Sequence, residues 1–244
     1  MILSLNGIIA GKGASPLMNG LISMYKAQSN ELDSYGTNNG SPFGGLLYVP
    51  GKQGNGFRFN GSNSYVQLPN NAFSIQDFSI SLWFNAASFS ADRTIFSNVN
   101  GDGNNVNTGY WLSTTSTGII DFWMYGGTSS FVATGYRYNA LSINTWYNIT
   151  LTKTQNNQPI MHVNGSIVTP TITNYGGGTI NPVYSFGAYT YSTPCIGAYI
   201  YNNASSKALY GSSTTDEIGI WNRQLTSTEI TELYNSGSGK FYPY

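Results

Sequence analysis

Short runs in which apolar and polar side chains alternate one by one recur along most of the chain, and each stops at glycine, asparagine or proline. A period of two sends successive side chains to opposite faces of a strand, so the pattern predicts half-buried β-strands separated by turns. The clearest run is Phe78-Ser79-Ile80-Ser81-Leu82-Trp83-Phe84, with Phe78, Ile80, Leu82 and Phe84 on one face. Ile119 to Tyr125 and Glu217 to Trp221 read as further strands. Trp146 to Lys153 and Pro159 to Val163 read as a pair, continued through Asn164-Gly165 into Ile167-Val168. Asn-Gly suits a two-residue hairpin because both residues tolerate positive φ. Phe57 to Asn60 and Tyr65 to Leu68, on either side of Gly61-Ser62-Asn63-Ser64, read as another hairpin.

The period changes only near the end. Thr226-Ser227-Thr228-Glu229 has capping-box spacing, Ile230, Leu233 and Tyr234 make one apolar face, and Gly237 is placed to supply a left-handed stop. Many strands and one short C-terminal helix predict an all-β fold, a two-sheet antiparallel β-sandwich, because a single sheet would leave an apolar face wet. No repeat or low-complexity linker divides the sequence, so one domain is expected over residues 19–244, preceded by an N-terminal arm of residues 1–18.

Composition narrows the function. Charged residues make up only 8% of the 244, ten basic against ten acidic, where an ordinary soluble domain has roughly a quarter. A nucleic-acid binder needs a basic stripe and a membrane-surface protein a polybasic segment, and neither is present. With 15% aromatic and 40% hydrophobic residues the chain is not disordered. Solubility comes from Asn, Ser, Thr and Gly, which suits an exterior protein. The one cysteine, Cys195, excludes an internal disulfide and a thiolate zinc cluster, and reads as a small buried hydrophobe. The one histidine, His162, sits in a strand-like run, and no Gly-x-Ser-x-Gly elbow accompanies it.

The first ten residues are mildly apolar but lack a basic start, are interrupted by Asn6-Gly7, and fall short of a membrane span. An exterior composition without an export signal is what a protein leaving the cell within a virus particle would show.

Several segments in order carry a family resemblance. Gly20 to Tyr25, Asp33 to Gly40 and Gly51 to Pro69 are followed by Asp77 to Trp83, Thr145 to Thr152, His162-Val163-Asn164-Gly165, and Asp216 through Tyr234. Together they resemble a laminin-G-like jelly roll, of the pentraxin-like branch of the concanavalin A-type lectin/glucanase superfamily. The leader Met1 to Ser15 and the close Gly237 to Tyr244 are similar to the ends of phage virion proteins that carry this domain. Asn164 stands where the family often has Asp, and Tyr175 to Tyr210 is longer and more aromatic than its usual connection.

The resemblance implies a structural Ca2+ held by Asp33 and Asp216, helped by Asn38 or backbone oxygens; the bland alternative is that Asp33 caps a turn and Asp216 starts a strand. Asn98, Asn100, Asp102 and Asn104 offer alternate oxygens but no terminal bidentate Glu, so a plain loop is expected there. The superfamily's glucanases carry Glu-x-Asp-x-x-Glu, and no such spacing occurs, so a non-catalytic protein is expected over a hydrolase or lyase. Asp121, between Ile120 and Phe122, reads as a solvent-facing position, with a lone polar anchor for a ligand as the alternative. Candidate glycan contacts are Tyr184, Phe186, Tyr189, Tyr191, Tyr199 and Tyr201, with Trp111, Tyr136 and Tyr138, since sugar C–H faces pack on aromatic rings; core or interface packing is the competing role. The expected function is a binding or structural module on an exposed surface, on a phage virion or as a secreted bacterial adhesin. Its partners would be a glycan or cell-surface receptor, with virion proteins meeting residues 1–18. The sequence leaves a homo-oligomer open and shows no coiled-coil heptad.

Overall fold

Residues 15–101, 107–125, 133–175, 192–201 and 206–244 are described by the computed structural model of the chain. In chain order the strands begin β1 (Leu21–Tyr25), β2 (Ser41–Phe43), β3 (Leu47–Pro50), β4 (Asn55–Arg58), β5 (Tyr65–Gln67) and β6 (Phe78–Ala86). Then come β7 (Arg93–Gly101), β8 (Asn107–Thr114), β9 (Ile119–Tyr125), β10 (Ala133–Ala140), β11 (Trp146–Lys153) and β12 (Ile160–Val163). The remainder are β13 (Ser166–Val168), β14 (Thr171–Tyr175), β15 (Cys195–Ile196), β16 (Tyr199–Tyr201), β17 (Ser206–Ala208) and β18 (Ser213–Trp221), before helix α1 (Ser227–Tyr234).

Two antiparallel sheets pack face to face. The first runs β13-β12-β11-β6-β18-β4-β3, with β1 also paired to β18; the second runs β14-β10-β9-β8-β7-β15-β5-β2. The alternation read in the sequence decides what meets between them. Phe78, Ile80, Leu82 and Phe84 of β6 join Ile149 and Leu151 of β11 and Ile218 and Ile220 of β18 from one side. Tyr110 and Leu112 of β8, Ile120, Phe122 and Met124 of β9, and Tyr136 and Tyr138 of β10 come from the other. Phe78 and Tyr110 stack across the interface with centroids 4.5 Å apart. Burying so many large side chains, each worth about 1.5–3 kcal/mol, is the main stabilising term.

Three sequence readings change. Gly61 to Ser64 is not a hairpin: β4 lies in the first sheet against β18 and β3, whereas β5 lies in the second against β15 and β2. The segment is a corner between layers, held by Asn60, whose side-chain oxygen accepts from the backbone N–H of Ser62, Asn63 and Ser64. The helix stop is Asn235, left-handed at φ 46°, while Gly237 closes the single 3-10 turn that follows. Residues 15–18, read as the end of an arm, belong to the domain. Leu17 is buried beside Trp221, Leu225, Ile230 and Leu233, and the Trp221 indole N–H donates to its carbonyl oxygen at 2.7 Å. Residues 1–14 lie outside the described residues.

Other local readings hold. Asn164 (φ 52°) and Gly165 (φ 74°) turn β12 into β13. Thr226 caps α1 through the Glu229 N–H while the Glu229 carboxylate accepts from the Thr226 N–H. Cys195 and His162 are buried, and burial lowers the imidazole pKa below its usual range. Among the described residues no helix is long and apolar enough to cross a membrane.

Candidate functional site

A ligand needs an open face, and the outer face of the first sheet is covered over β6 and β11. Its strand residues Ser79, Ser81, Asn148, Thr150 and Thr152 are buried and bonded to one another or to the C-terminal segment. The Ser79 hydroxyl donates to the Arg223 carbonyl and accepts from the Leu225 N–H, and Ser81 bonds Thr150. Trp83 is stacked on Tyr234 of α1, with the Lys52 ammonium 4.3 Å from its ring centroid.

On β18 of the same sheet lies a strained acidic pair. The register between β18 and β6 shifts between Asp216 and Gly219, and Glu217 takes φ 50° at this bulge, a left-handed conformation that costs a non-glycine residue energy. Asp216 accepts from the N–H groups of Gln53 and Glu217 at 2.9 and 2.8 Å. Among the described residues no hydrogen bond of good geometry reaches either Glu217 oxygen, and the residue is 6% exposed. Burial, then the Asp216 charge, pushes Glu217 up to about 8; burial raises Asp216 to about 7 against its backbone donors.

The second sheet's outer face is open in part. Alternation on β8, β9, β10 and β14 brings two rungs to it. One rung aligns Trp111, Trp123, Gly135 and Thr173; the next aligns Ser113, Asp121, Arg137 and Thr171. The β16–β17 hairpin covers the β8 end: Tyr199 stands edge-on to Trp111 at 5.0 Å and near Tyr125 at 6.3 Å. Toward β14, Trp123 and Thr173 are half-buried and Arg137 and Thr171 exposed. Trp123 fits because its partner is glycine: a Cβ on residue 135 would sit 2.8 and 2.9 Å from the indole Cη2 and Cζ2.

Asp121 organises this surface. Its residue is 3% exposed, so the expected solvent-facing position is corrected: it lies under its neighbours. Arg137 Nε lies 3.2 Å from the Asp121 Oδ1, and Trp123 is the neighbour of Asp121 two positions along the same face of β9. Burial raises the Asp121 pKa above the ordinary carboxylate range, with Arg137 pulling the other way. The result is a fixed indole, a tethered guanidinium and threonine hydroxyls on one surface, the set of groups that binds an uncharged or anionic polyol.

The predicted aromatic contacts divide. Tyr136 and Tyr138 point into the core, because their places on β10 alternate with outward Gly135 and Arg137; they are not ligand contacts. Trp111 is buried under Tyr199 and its N–H donates to the Thr94 hydroxyl at 3.0 Å, so it backs Trp123. Tyr201 is the last residue of β16. Tyr184, Phe186, Tyr189 and Tyr191 lie outside the described residues. Trp123 and Arg137 escaped the sequence reading, although Ile120, Phe122 and Met124 facing inward already force Asp121 and Trp123 outward.

The residues proposed for calcium do not fit a shared cation. Asp33 Oδ1 accepts from the N–H groups of Met24, Tyr35 and Gly36, and Oδ2 from that of Asn38. With four backbone donors converging on it, three of them on Oδ1, this carboxylate's charge is already met by the fold. The Asn38 amide donates to Ser23 and its carbonyl accepts from the Tyr25 hydroxyl, while Asp216 faces Gln53 and Glu217. In the other candidate loop, the Asn98 amide donates to the Phe73 carbonyl, and Asp102 and Asn104 lie outside the described residues.

Residues 60–231 match the Laminin_G_3 family, of the concanavalin A-like lectin/glucanases superfamily. No curated protein sequence matches significantly. Among solved structures, domain 4 of the Geobacillus stearothermophilus arabinanase AbnA, in complex with arabinotriose, is 20% identical at TM-score 0.62, covering 86% of this chain and 96% of that one. The binding domain of Paraclostridial Mosquitocidal Protein 1 is 18% identical at TM-score 0.66, covering 91% of this chain and 53% of that one. A Trypanosoma rangeli sialidase is 18% identical at TM-score 0.65, covering 91% of this chain and 33% of that one. At these identities the likeness is one of fold, and the chain spans about half of the mosquitocidal domain and a third of the sialidase.

Proposed function

Because the chain belongs to the concanavalin A-like lectin/glucanases superfamily, we propose that it is a non-catalytic carbohydrate-binding module whose ligand lies on the outer face of the second sheet, against Trp123. The observation that carries this reading is the indole laid over Gly135 on the open part of that face. A half-buried ring held in place offers a sugar an ordered apolar surface with little side-chain entropy left to lose. The arabinotriose complex of the AbnA domain supports it as a case of the same fold holding a glycan.

The acids support a binder over a hydrolase. Asp121 is paired with Arg137, Asp216 accepts from Gln53 in the turn between β3 and β4, and Glu217 sits under the C-terminal segment, whereas glycoside cleavage needs two carboxylates flanking the bond. The test is a glycan array on the intact protein beside Trp123→Ala, with a reducing-end assay on every glycan retained. Binding lost in the variant and a flat assay are expected; turnover, or binding indifferent to Trp123, would defeat the reading.

The module belongs, in this proposal, on an exposed surface outside the cell, where a nearly uncharged, hydroxyl- and amide-rich exterior suits glycan contact. A phage particle, with the segment before Ser15 meeting virion proteins, is the preferred setting and a secreted adhesin the alternative. Neighbouring genes for capsid or tail proteins would support the first, and a secretion locus the second.

A further inference from the structure

Within β9, β10 and β14 the charged residues are Asp121 and Arg137 alone. They are not buried alike: the Asp121 side chain is 5% exposed and that of Arg137 43%. The carboxylate is sunk in the sheet and the guanidinium lies above it, engaged through Nε. Among the described residues Arg137 donates no hydrogen bond from its terminal nitrogens, and its ion pair is with Asp121. Trp123 stands on the adjacent rung, laid over Gly135, so the ladder itself sets a guanidinium and an indole side by side.

We propose that this pair selects a pyranoside bearing a carboxylate, with the sugar against Trp123 and its carboxylate in the free fork of Arg137. This rests on the binding face proposed above and adds the class of sugar. A guanidinium presents parallel N–H donors whose spacing matches the two oxygens of a carboxylate, which an ammonium cannot do. Tethering through Nε orients that fork in advance and lowers the entropy lost on binding. A solubilising arginine would need no buried aspartate beneath it, and a purely structural ion pair would bury both partners; here only the acid is covered. The exposed Thr171, opposite Arg137 on β14, adds a hydroxyl at the edge of the same patch.

Uronic and sialic acids share this chemistry, and calorimetry on the full chain separates them. The probes are trigalacturonate and 3′-sialyllactose, each beside its carboxyl-reduced form, with a sulfated neutral trisaccharide as a further arm. At least one carboxylated probe should bind about tenfold more tightly than its reduced form, the size of one hydrogen-bonded charge contact. Arg137→Lys, which keeps the charge but loses the fork, should remove most of that preference, and Arg137→Gln all of it. Equal binding of reduced and carboxylated probes, an unchanged preference in Arg137→Gln, or equal binding of the sulfated probe would overturn the assignment. The reduced-probe comparison needs no variant, so a poorly folding substitution does not blunt it. Neutral glycans bound through Trp123 without any acid preference would sink this inference and leave the platform standing; no glycan bound at all would sink both.

Discussion

Trp123 and Gly135 face each other across the β9–β10 ladder, and the indole occupies the volume that a Cβ on residue 135 would claim. The glycine is therefore part of the binding surface although it touches no ligand. Gly135→Val should displace the ring and weaken glycan binding by about tenfold, the upper end of one aromatic contact. Titration of any glycan retained by the array checks this, with tryptophan fluorescence reporting the moved ring. Unchanged affinity would mean that the ring's placement is irrelevant to binding.

The buried acidic pair Asp216 and Glu217 predicts a stability that falls as pH rises. Glu217 has a folded value of about 8 against an ordinary 4.5, so the native state holds this proton more tightly than the unfolded chain. Its contribution is fully present below about pH 4.5 and is lost on the way up to about 8; Asp216, also raised, adds the same sign. Glu217→Gln removes the titration and should stabilise the protein by on the order of 2 kcal/mol at pH 8.5 while changing little at pH 4.5. Urea midpoints at the two pH values decide it, and an equal effect at both would refute the argument.

Glu229 has the opposite sign. The Arg223 guanidinium, helped by the Thr226 N–H and hydroxyl, lowers it to about 2. Its contribution is present above about pH 4.5 and lost as pH falls toward 2. Thr226→Ala should cost about 1 kcal/mol at neutral pH through the lost cap. The penalty of Arg223→Ala should shrink between pH 6 and pH 2.5, though part persists because Arg223 also donates to the Asn19 and Pro16 carbonyls. Thermal melts of the three proteins test both points; a pH-independent Arg223 penalty would count against the ion pair.

Asp33 is a knot for four backbone donors rather than a cation ligand. Asp33→Ala should destabilise by about 3 kcal/mol, because buried N–H groups lose a charged acceptor. Chelator and added calcium should each leave the melting temperature of the wild type unchanged, whereas a tightly bound native-state ion would shift it by several degrees. Calorimetric scans in both conditions distinguish the two.

The fold was largely legible because its signals are local. Alternation in Phe78 to Phe84 marked both faces of a strand, Asn164-Gly165 marked a turn, and Thr226 with Glu229 marked a helix start. The Gly61 to Ser64 corner misled because a polar turn between two apolar runs looks alike whether the next strand returns beside the last or crosses to the other layer. Only pairing partners far along the chain, Thr214 and Thr215 for β4 and Cys195 and Ile196 for β5, decide that. The site was less legible for a related reason. Tyrosines are abundant, and which of them face outward depends on register: Tyr136 and Tyr138 share an inward parity that Arg137 lacks. Asp121 looked solvated because its own strand says nothing of the Arg137 side chain that reaches it across the β9–β10 ladder.

Strand β1 zips onto β18, so residues near position 21 wait for residues near 221 before the first sheet has its full width. Such long-separation pairing makes for a slow search. A ribosome would have to release the chain past Trp221 before the sandwich could close, and the waiting β-rich segments would need shielding from one another in the meantime.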